Sequence, residues 1–138
     1  MVLIQVSNVD LVRNTLGALN SRQFHRIPEF IAPGFVRHDL AGAYPGVAGT
    51  EGVADLLSAL LNGSPDLQVV IQDIFADGDR VAARVTVEGT HTGELFGLPG
   101  SGRRFAVNEL LFYRVENGRI AETWQLLDLA GLKSQLAN

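Results

Sequence analysis

Three polar side chains of this sequence fall at positions where the hydrophobic pattern predicts an inward-facing residue. His38 alternates with Val36 and Leu40 on a short predicted strand. His91 continues the apolar alternation of a later strand, and Asp128 ends the apolar face of the last one. Burying a charge without a partner is costly. Polar groups at such positions are therefore the first candidates for acid–base chemistry.

Each of these residues also has a purely structural interpretation. His38 could be a core histidine with satisfied hydrogen bonds, or it could be exposed beside Asp39 on an edge strand. His91 could bind backbone groups of the loop rich in Gly and Thr around it. Asp128 could cap the terminal helix, because Asp is a preferred N-cap residue. A capping role and a pocket role are compatible.

The two last strands are predicted from the stretch Arg103–Asp128, in which two alternating runs meet at Asn117-Gly118. This dipeptide tolerates positive φ and favours a two-residue type I′ hairpin turn. Such a turn fixes which residues face each other across the ribbon. The predicted pairs are Val115 with Ile120, Leu111 with Trp124, and Val107 with Asp128.

One face of this ribbon is predicted to be mainly apolar and to carry three carboxylates, Glu109, Glu122 and Asp128. We interpret Glu122 as a surface residue, and Glu109 and Tyr113 as candidate pocket lining. Trp124 is interpreted as core or pocket wall. The apolar members of the face are Phe105, Val107, Leu111, Tyr113, Val115, Ile120, Trp124 and Leu126.

The remaining pattern predicts helices first and strands later, which indicates an α+β fold with the helices on one side of a curved, mainly antiparallel sheet. A strongly bent sheet wrapped around N-terminal helices forms a cone, with a pocket at its open end. The predicted helices are Val6–Leu19, capped by Ser7 or Asn8, then Phe24–Ile31, Thr50–Gly63 and Leu129–Leu136. The other predicted elements are a strand at Phe35–Leu40, a loop at Ala41–Gly49, a hairpin of Leu67–Ala76 and Arg80–Thr92 around Asp77-Gly78, and a loop at Glu94–Gly102.

Composition narrows the classes of function. The 138 residues predict one domain spanning positions 1–138, and the absence of cysteine excludes disulfides and thiolate metal sites. A net charge of −4 without a basic run argues against nucleic acid and membrane partners. The opening MVLIQV is too short for a signal peptide or a span, so a cytoplasmic protein is expected. Phosphate-loop and serine-hydrolase motifs are incomplete or missing, and a metal triad is disfavoured.

Several motifs together resemble the SnoaL-like polyketide cyclases of the NTF2-like superfamily, and the match covers nearly the whole chain. The motifs are FVRHD, GTEG, PDL, DGDRVAARVTVEGTHTGE and NGRIAETWQLLDLAGLKSQL. The resemblance implies a cone-shaped α+β barrel that is commonly dimeric and needs no cofactor. It also implies ring closure by intramolecular aldol condensation with an aspartate as general base. The matching position here is Asp128, and His38 and His91 are the histidines of two matching motifs.

On this basis we expect Asp128 to remove a proton from a carbon flanked by carbonyl groups. His91, or else His38, would stabilise the enolate oxygen. Phe105, Glu109, Tyr113 and Trp124 are the expected binding residues for a hydrophobic, aromatic small molecule, and a homodimer or higher homo-oligomer is expected. Two alternatives stay open: an isomerase, hydrolase or hydroxylase acting on a hydrophobic ring compound, and a non-catalytic small-molecule binding or assembly module.

Overall fold

A mixed six-stranded sheet forms the frame of the molecule, with helices packed against its inner face. The computed structural model describes residues 6–44 and 46–137, so most of the opening MVLIQV lies outside the described residues. The helices are α1 Asn8–Asn20, α2 Ile27–Phe30, α3 Gly49–Gly63 and α4 Leu129–Leu136, with a 3₁₀ turn at Phe24–Arg26. The strands are β1 Ile31–Asp39, β2 Val47–Ala48, β3 Gln68–Asp77, β4 Arg80–Thr90, β5 Arg104–Glu116 and β6 Arg119–Leu127.

The strand order β2-β1-β6-β5-β4-β3 confirms the predicted α+β class. Strands β3 to β6 form an antiparallel meander, and β1 returns alongside β6 in a parallel pairing. The short strand β2 lies within the loop predicted at Ala41–Gly49, where two residues are too few to show an alternation. Ser7 caps α1 by accepting a hydrogen bond from the Asp10 backbone N–H, as predicted.

Both predicted hairpins are present. Asn117 and Gly118 have φ values of 51° and 75°, as a type I′ turn requires. In the first hairpin the loop residues are Gly78 and Asp79, because Asp77 pairs with Arg80. That turn therefore begins one residue later than the predicted Asp77-Gly78.

A β-bulge directly after the second turn decides which side chains of β6 face inward. Val115 pairs with Ile120 as predicted, but Arg114 pairs with Glu122, so Ala121 is an extra residue in β6. Ile120 and Ala121 are consecutive and both buried, which marks the point where the alternation breaks.

Beyond the bulge the predicted register is wrong by one residue. Leu111 faces Gln125, and Trp124 faces Phe112. Because side chains alternate across a strand, a shift of one residue exchanges the two faces of β6. The inward residues of β6 are thus Thr123, Gln125 and Leu127, and the outward ones are Glu122, Trp124 and Leu126.

The hydrophobic core fills the space between the inner face of the sheet and helices α1, α3 and α4. Its central members come from all of these elements, and burying them supplies the main driving force for the fold. They include Val12, Leu16, Phe35, Leu56, Val81, Val85, Val107, Ile120 and Leu132. Among the described residues, no helix is long and apolar enough to cross a membrane.

Candidate active site

A pocket of about 160 Å³ lies between the inner face of the sheet and the helices. Apolar side chains form most of its wall, which lowers the effective dielectric for any charge inside. Two loops contribute to it, the first through Tyr44 and the second, Glu94–Gly102, through Leu95 and Phe96. The other apolar lining includes Leu16, Leu19, Leu56, Phe105, Leu111 and Leu132.

Glu109 is one of the two carboxylates that line this pocket. It lies on β5 between Val107 and Leu111, which line the same pocket. The side chain is half-buried, and its accessible part faces the pocket. Burial raises the pKa of Glu109 from 4.5 to about 7, while Arg37 lowers it and Asp39 raises it. A carboxyl group with this pKa exchanges a proton readily at neutral pH.

Arg37 and Asp39 bring two further charges into the pocket from β1. They share the inward face of that strand with buried Phe35. Burial lowers the pKa of Arg37, against the favourable fields of Glu109 and Asp39. The Arg37 guanidinium donates a long hydrogen bond of 3.4 Å to the Tyr44 carbonyl. Arg37 is thus a cation positioned to act on charge in the pocket.

Asp39 has a clear structural role as well. Its Oδ1 accepts hydrogen bonds from the backbone N–H groups of Ala41 and Gly42 at 3.0 and 3.1 Å. Its Oδ2 accepts one from the Tyr44 N–H at 2.6 Å. These bonds hold the loop that places Tyr44 at the pocket.

Gln125 is the neutral polar group of the pocket wall. It lies on β6, faces Asp39 on β1 and Leu111 on β5, and is only 1% exposed. Neither its Nε2 nor its Oε1 has a hydrogen-bond partner among residues 6–44 and 46–137. Buried amides are nearly always hydrogen-bonded, so this group is exceptional.

Tyr113 lines a second apolar cavity, of about 130 Å³, which shares Leu16 and Leu56 with the first. Arg37 lines both cavities and so lies between them. Burial raises the pKa of Tyr113, and the negative field of Glu109 raises it further. The phenol therefore stays neutral at physiological pH. Glu109 and Tyr113 both face the interior, which the sequence pattern left undecided.

Asp128, the predicted base, is exposed and lies outside the pocket lining. Its Oδ1 accepts a hydrogen bond of 2.9 Å from the Gly131 N–H, so it caps α4. The expected pairing of Asp128 with Val107 is wrong, because the bulge shifts β6 by one residue; the Asp128 N–H instead bonds the Asn108 carbonyl. The interpretation of Asp128 as a helix cap is confirmed, and the carboxylates that line the pocket are Asp39 and Glu109.

His91 holds the loop Glu94–Gly102 against the sheet and is 1% exposed. Its Nε2 bonds the Leu98 carbonyl at 3.0 Å, and its Nδ1 bonds the Ser101 hydroxyl at 2.8 Å. A carbonyl only accepts hydrogen bonds, so Nε2 donates to Leu98, and Nδ1 accepts from the Ser101 backbone N–H at 3.3 Å. Both ring nitrogens are thus used within the loop. His91 is absent from the pocket lining.

His38 and Trp124 lie together on the outer face of the sheet, which corrects the prediction that they face inward. The two rings are stacked with centroids 5.3 Å apart, and His38 Nε2 contacts Glu122 at 2.6 Å. The face of β1 that is predicted to be buried lies outside: Val36 and Leu40, which share the face of His38, are 40% and 62% exposed. Neither His38 nor Trp124 lines the pocket.

The outer face also carries a row of apolar side chains on neighbouring strands. Phe75, Ala82, Phe112 and Trp124 follow one another from β3 to β6; Phe75 and Phe112 are 64% and 59% exposed, and Ala82 and Trp124 are half-buried. Exposed apolar patches of this kind often mark contact surfaces. The expected homodimer stays a prediction.

The predicted polar residues therefore do not converge at one place. His38, His91 and Asp128 lie on the outer face, under a loop and at a helix cap. Within the described part of the chain, no group of three or more His, Asp or Glu side chains is arranged to hold a metal ion.

Sequence reasoning missed Arg37, Asp39 and Gln125. For the first two a signal was available: they share a parity with Phe35, so burial of that large aromatic would have turned them inward. For Gln125 no such signal exists, because its two neighbours in β6, Trp124 and Leu126, are more apolar and would be expected to face inward instead. Only the bulge turns Gln125 toward the pocket.

Comparisons with known proteins agree with this architecture. The family model of the SnoaL-like polyketide cyclases matches residues 9–136. The aklanonic acid methyl ester cyclase DnrD of Streptomyces peucetius is 28% identical over 136 residues, covering 94% of this chain and 90% of that protein. The structure of IdmH from Streptomyces antibioticus has 32% identity and a TM-score of 0.81, with 92% of this chain and 96% of that one covered. TsrD from Streptomyces laurentii has 29% identity and a TM-score of 0.85, covering 99% and 98%. The chain therefore belongs to the SnoaL-like polyketide cyclase family.

Proposed function

We propose that this protein is a cyclase that removes a proton from a carbon acid with Glu109 and closes a ring by intramolecular aldol addition. The observation that carries the proposal is the position of Glu109: a carboxylate inside an apolar pocket, with a pKa of about 7. The family and the relative named as an aklanonic acid methyl ester cyclase support the reaction class. For the substrate we propose an aromatic, polyketide-like compound with neighbouring carbonyl groups.

The base in this proposal is Glu109 rather than Asp128. A general base has to reach the proton that it removes, and Asp128 is exposed at the start of α4 and bound to Gly131. Glu109 lies in the pocket wall, where desolvation brings its basicity close to the working pH.

Arg37 is the proposed partner of the negative charge that develops in the reaction. The histidines expected for this role are engaged elsewhere, His91 with Leu98 and Ser101, and His38 with Glu122. Arg37 instead lines the pocket and interacts electrostatically with Glu109. A fixed cation in a low-dielectric site stabilises an enolate oxygen more strongly than it would in water.

The proposed steps balance without a cofactor. The Glu109 carboxylate takes the proton, and the C–H electron pair moves into an enolate whose charge lies on oxygen. The enolate carbon then attacks a second carbonyl carbon, forming the new C–C bond. The alkoxide produced takes the proton back from the Glu109 carboxylic acid. The product is a cyclic β-hydroxy ketone, and holding the two carbons close supplies much of the acceleration.

Proton exchange tests the first step without the true substrate. Ethyl benzoylacetate and benzoylacetone are dissolved in D₂O, and NMR follows the loss of their acidic C–H signal with wild-type protein, Glu109→Gln and Asp128→Asn. We expect Glu109→Gln to lose about 10²- to 10⁴-fold of the protein-dependent rate. Asp128→Asn should keep it, because the amide oxygen still caps α4.

The opposite pattern, with exchange lost in Asp128→Asn and kept in Glu109→Gln, would return the base to Asp128. Wild-type protein that accelerates exchange of neither compound would count against carbon-acid chemistry. If wild-type protein accelerates exchange, ring closure is tested next. The substrate is an aromatic ring that carries a 1,3-diketone group and, separately, a further ketone. Mass spectrometry and NMR would then show an isomeric product with a new C–C bond.

A further inference from the structure

We propose that Gln125 binds a carbonyl oxygen of the substrate through its Nε2–H group and thereby sets the orientation of the substrate between β6 and β5. The inference deepens the proposed function and rests on it for the identity of the reacting carbon. The binding role itself can be tested without any reaction.

The side-chain amide of Gln125 is buried without a hydrogen-bond partner among the described residues. Gln125 is 1% exposed, it lines the pocket, and neither polar atom of its side chain is paired within residues 6–44 and 46–137. Leaving a buried donor or acceptor unpaired is costly, whereas an apolar side chain of the same size would avoid the cost. A ligand that supplies an oxygen to Nε2 removes the part of this penalty that belongs to the donor when it binds.

The register of the sheet determines where Glu109 lies relative to Gln125. Gln125 faces Leu111 across the β5–β6 pair, and Glu109 faces Leu127. Gln125 and Glu109 are therefore diagonal neighbours on one face, with Cβ atoms roughly 7 Å apart. A ketone whose oxygen is bound to Gln125 on β6 presents its adjacent carbon toward Glu109 on β5.

Arg37 is a charged donor in the same pocket, and it takes the oxygen on which the enolate charge develops. The neutral amide of Gln125 binds the second oxygen of the two neighbouring carbonyl groups, a role that the carboxylates of the pocket cannot fill. On β1, Asp39 faces Gln125 directly, but its carboxylate accepts three backbone hydrogen bonds and repels another oxygen. Glu109, when ionised, also only accepts. The amide of Gln125 donates at any pH, so it distinguishes a ketone from a hydrocarbon of the same shape. A substrate with a ring ketone fits this arrangement.

The test compares two ligands of one shape that carry no acidic hydrogen, 2,2-dimethyl-1-indanone and 2,2-dimethylindane. Their dissociation constants are measured by NMR titration with wild-type protein, Gln125→Met and the control Thr123→Val. Thr123 precedes Gln125 by two residues on the same face of β6 but lines the second cavity. We expect wild type to prefer the ketone, and Gln125→Met to lose roughly three- to ten-fold of that preference. Thr123→Val should keep it.

A second measurement separates a ligand-binding amide from a structural one. Urea unfolding without ligand should give Gln125→Met a higher midpoint than wild type, because a thioether needs no partner in an apolar wall. If Gln125→Met unfolds on expression, Gln125→Leu takes its place in both measurements. An unchanged ketone preference in the folded variant would overturn the inference, and so would equal binding of both ligands by wild type. Since no proton moves, these outcomes are independent of whether Glu109 is the base.

Discussion

Replacing Glu109 by Gln should make the protein more stable at alkaline pH, although it should lose most of the protein-dependent proton exchange. Glu109 is ionised at a cost, because it sits among apolar side chains and its pKa is raised from 4.5 to about 7. Between these two pH values the unfolded chain has already released the proton, while the folded chain still holds it. Unfolding then releases a proton, so the free energy of unfolding falls as the pH rises.

The size of this effect follows from the rise in pKa. Taking the group from 4.5 to about 7 corresponds to about 3 kcal/mol between acid and alkaline conditions. The loss begins near pH 4.5, continues to about pH 7 and is complete above it. Gln carries no charge and escapes the loss. The stability advantage of Glu109→Gln over wild type should therefore be about 3 kcal/mol larger at pH 8 than at pH 4.5.

Urea denaturation followed by circular dichroism at both pH values measures this difference. Glu116→Gln is the matched control, since Glu116 is the same residue type, lies exposed at the end of the same strand and pairs with Arg114. Its effect should stay within about 0.5 kcal/mol at either pH. A difference between wild type and Glu109→Gln that does not change from pH 4.5 to 8 would refute the burial argument. If Glu109→Gln loses C–H exchange but shows no pH-dependent gain in stability, Glu109 is not the desolvated carboxylate.

Three further predictions concern Arg37, His91 and Asp128. The C–H exchange rate of wild type should rise with pH around a midpoint near 7. Arg37→Gln should move that midpoint to higher pH, because the cation that lowers the pKa of Glu109 is gone. A midpoint that stays the same or falls would contradict this. His91→Leu should destabilise the protein by about 2 kcal/mol and speed amide hydrogen exchange within Glu94–Gly102, whereas an unchanged loop would mean that the ring bonds do not hold it. Asp128→Ala should lose about 1 kcal/mol in urea unfolding through the missing cap, while keeping the C–H exchange rate.

Local chemistry in the sequence determined the elements and the fold class. Ser7 caps α1, Asn117-Gly118 forms the type I′ turn, and Leu129–Leu136 is the terminal helix. These features depend on residues close together in the chain, whose preferences for caps, turns and periodicity act within a few positions. Alternation along β5 also assigned Phe105, Glu109 and Tyr113 to one face of that strand, but the structure was needed to show that Glu109 and Tyr113 face the interior.

Which residues line the pocket depended on tertiary structure. Two features set the lining, and both depend on contacts between residues that are distant in sequence. The first is the bulge at Ala121, which turns Gln125 inward and Trp124 outward; alternation along a strand does not reveal an added residue. The second is the choice of face for β1, whose two parities are both partly apolar. Packing of Phe35 into the core settles it, and Arg37 and Asp39 follow inward while His38 turns outward. A period of two defines the two faces of a strand, but only the packing of the whole sheet determines which face is buried.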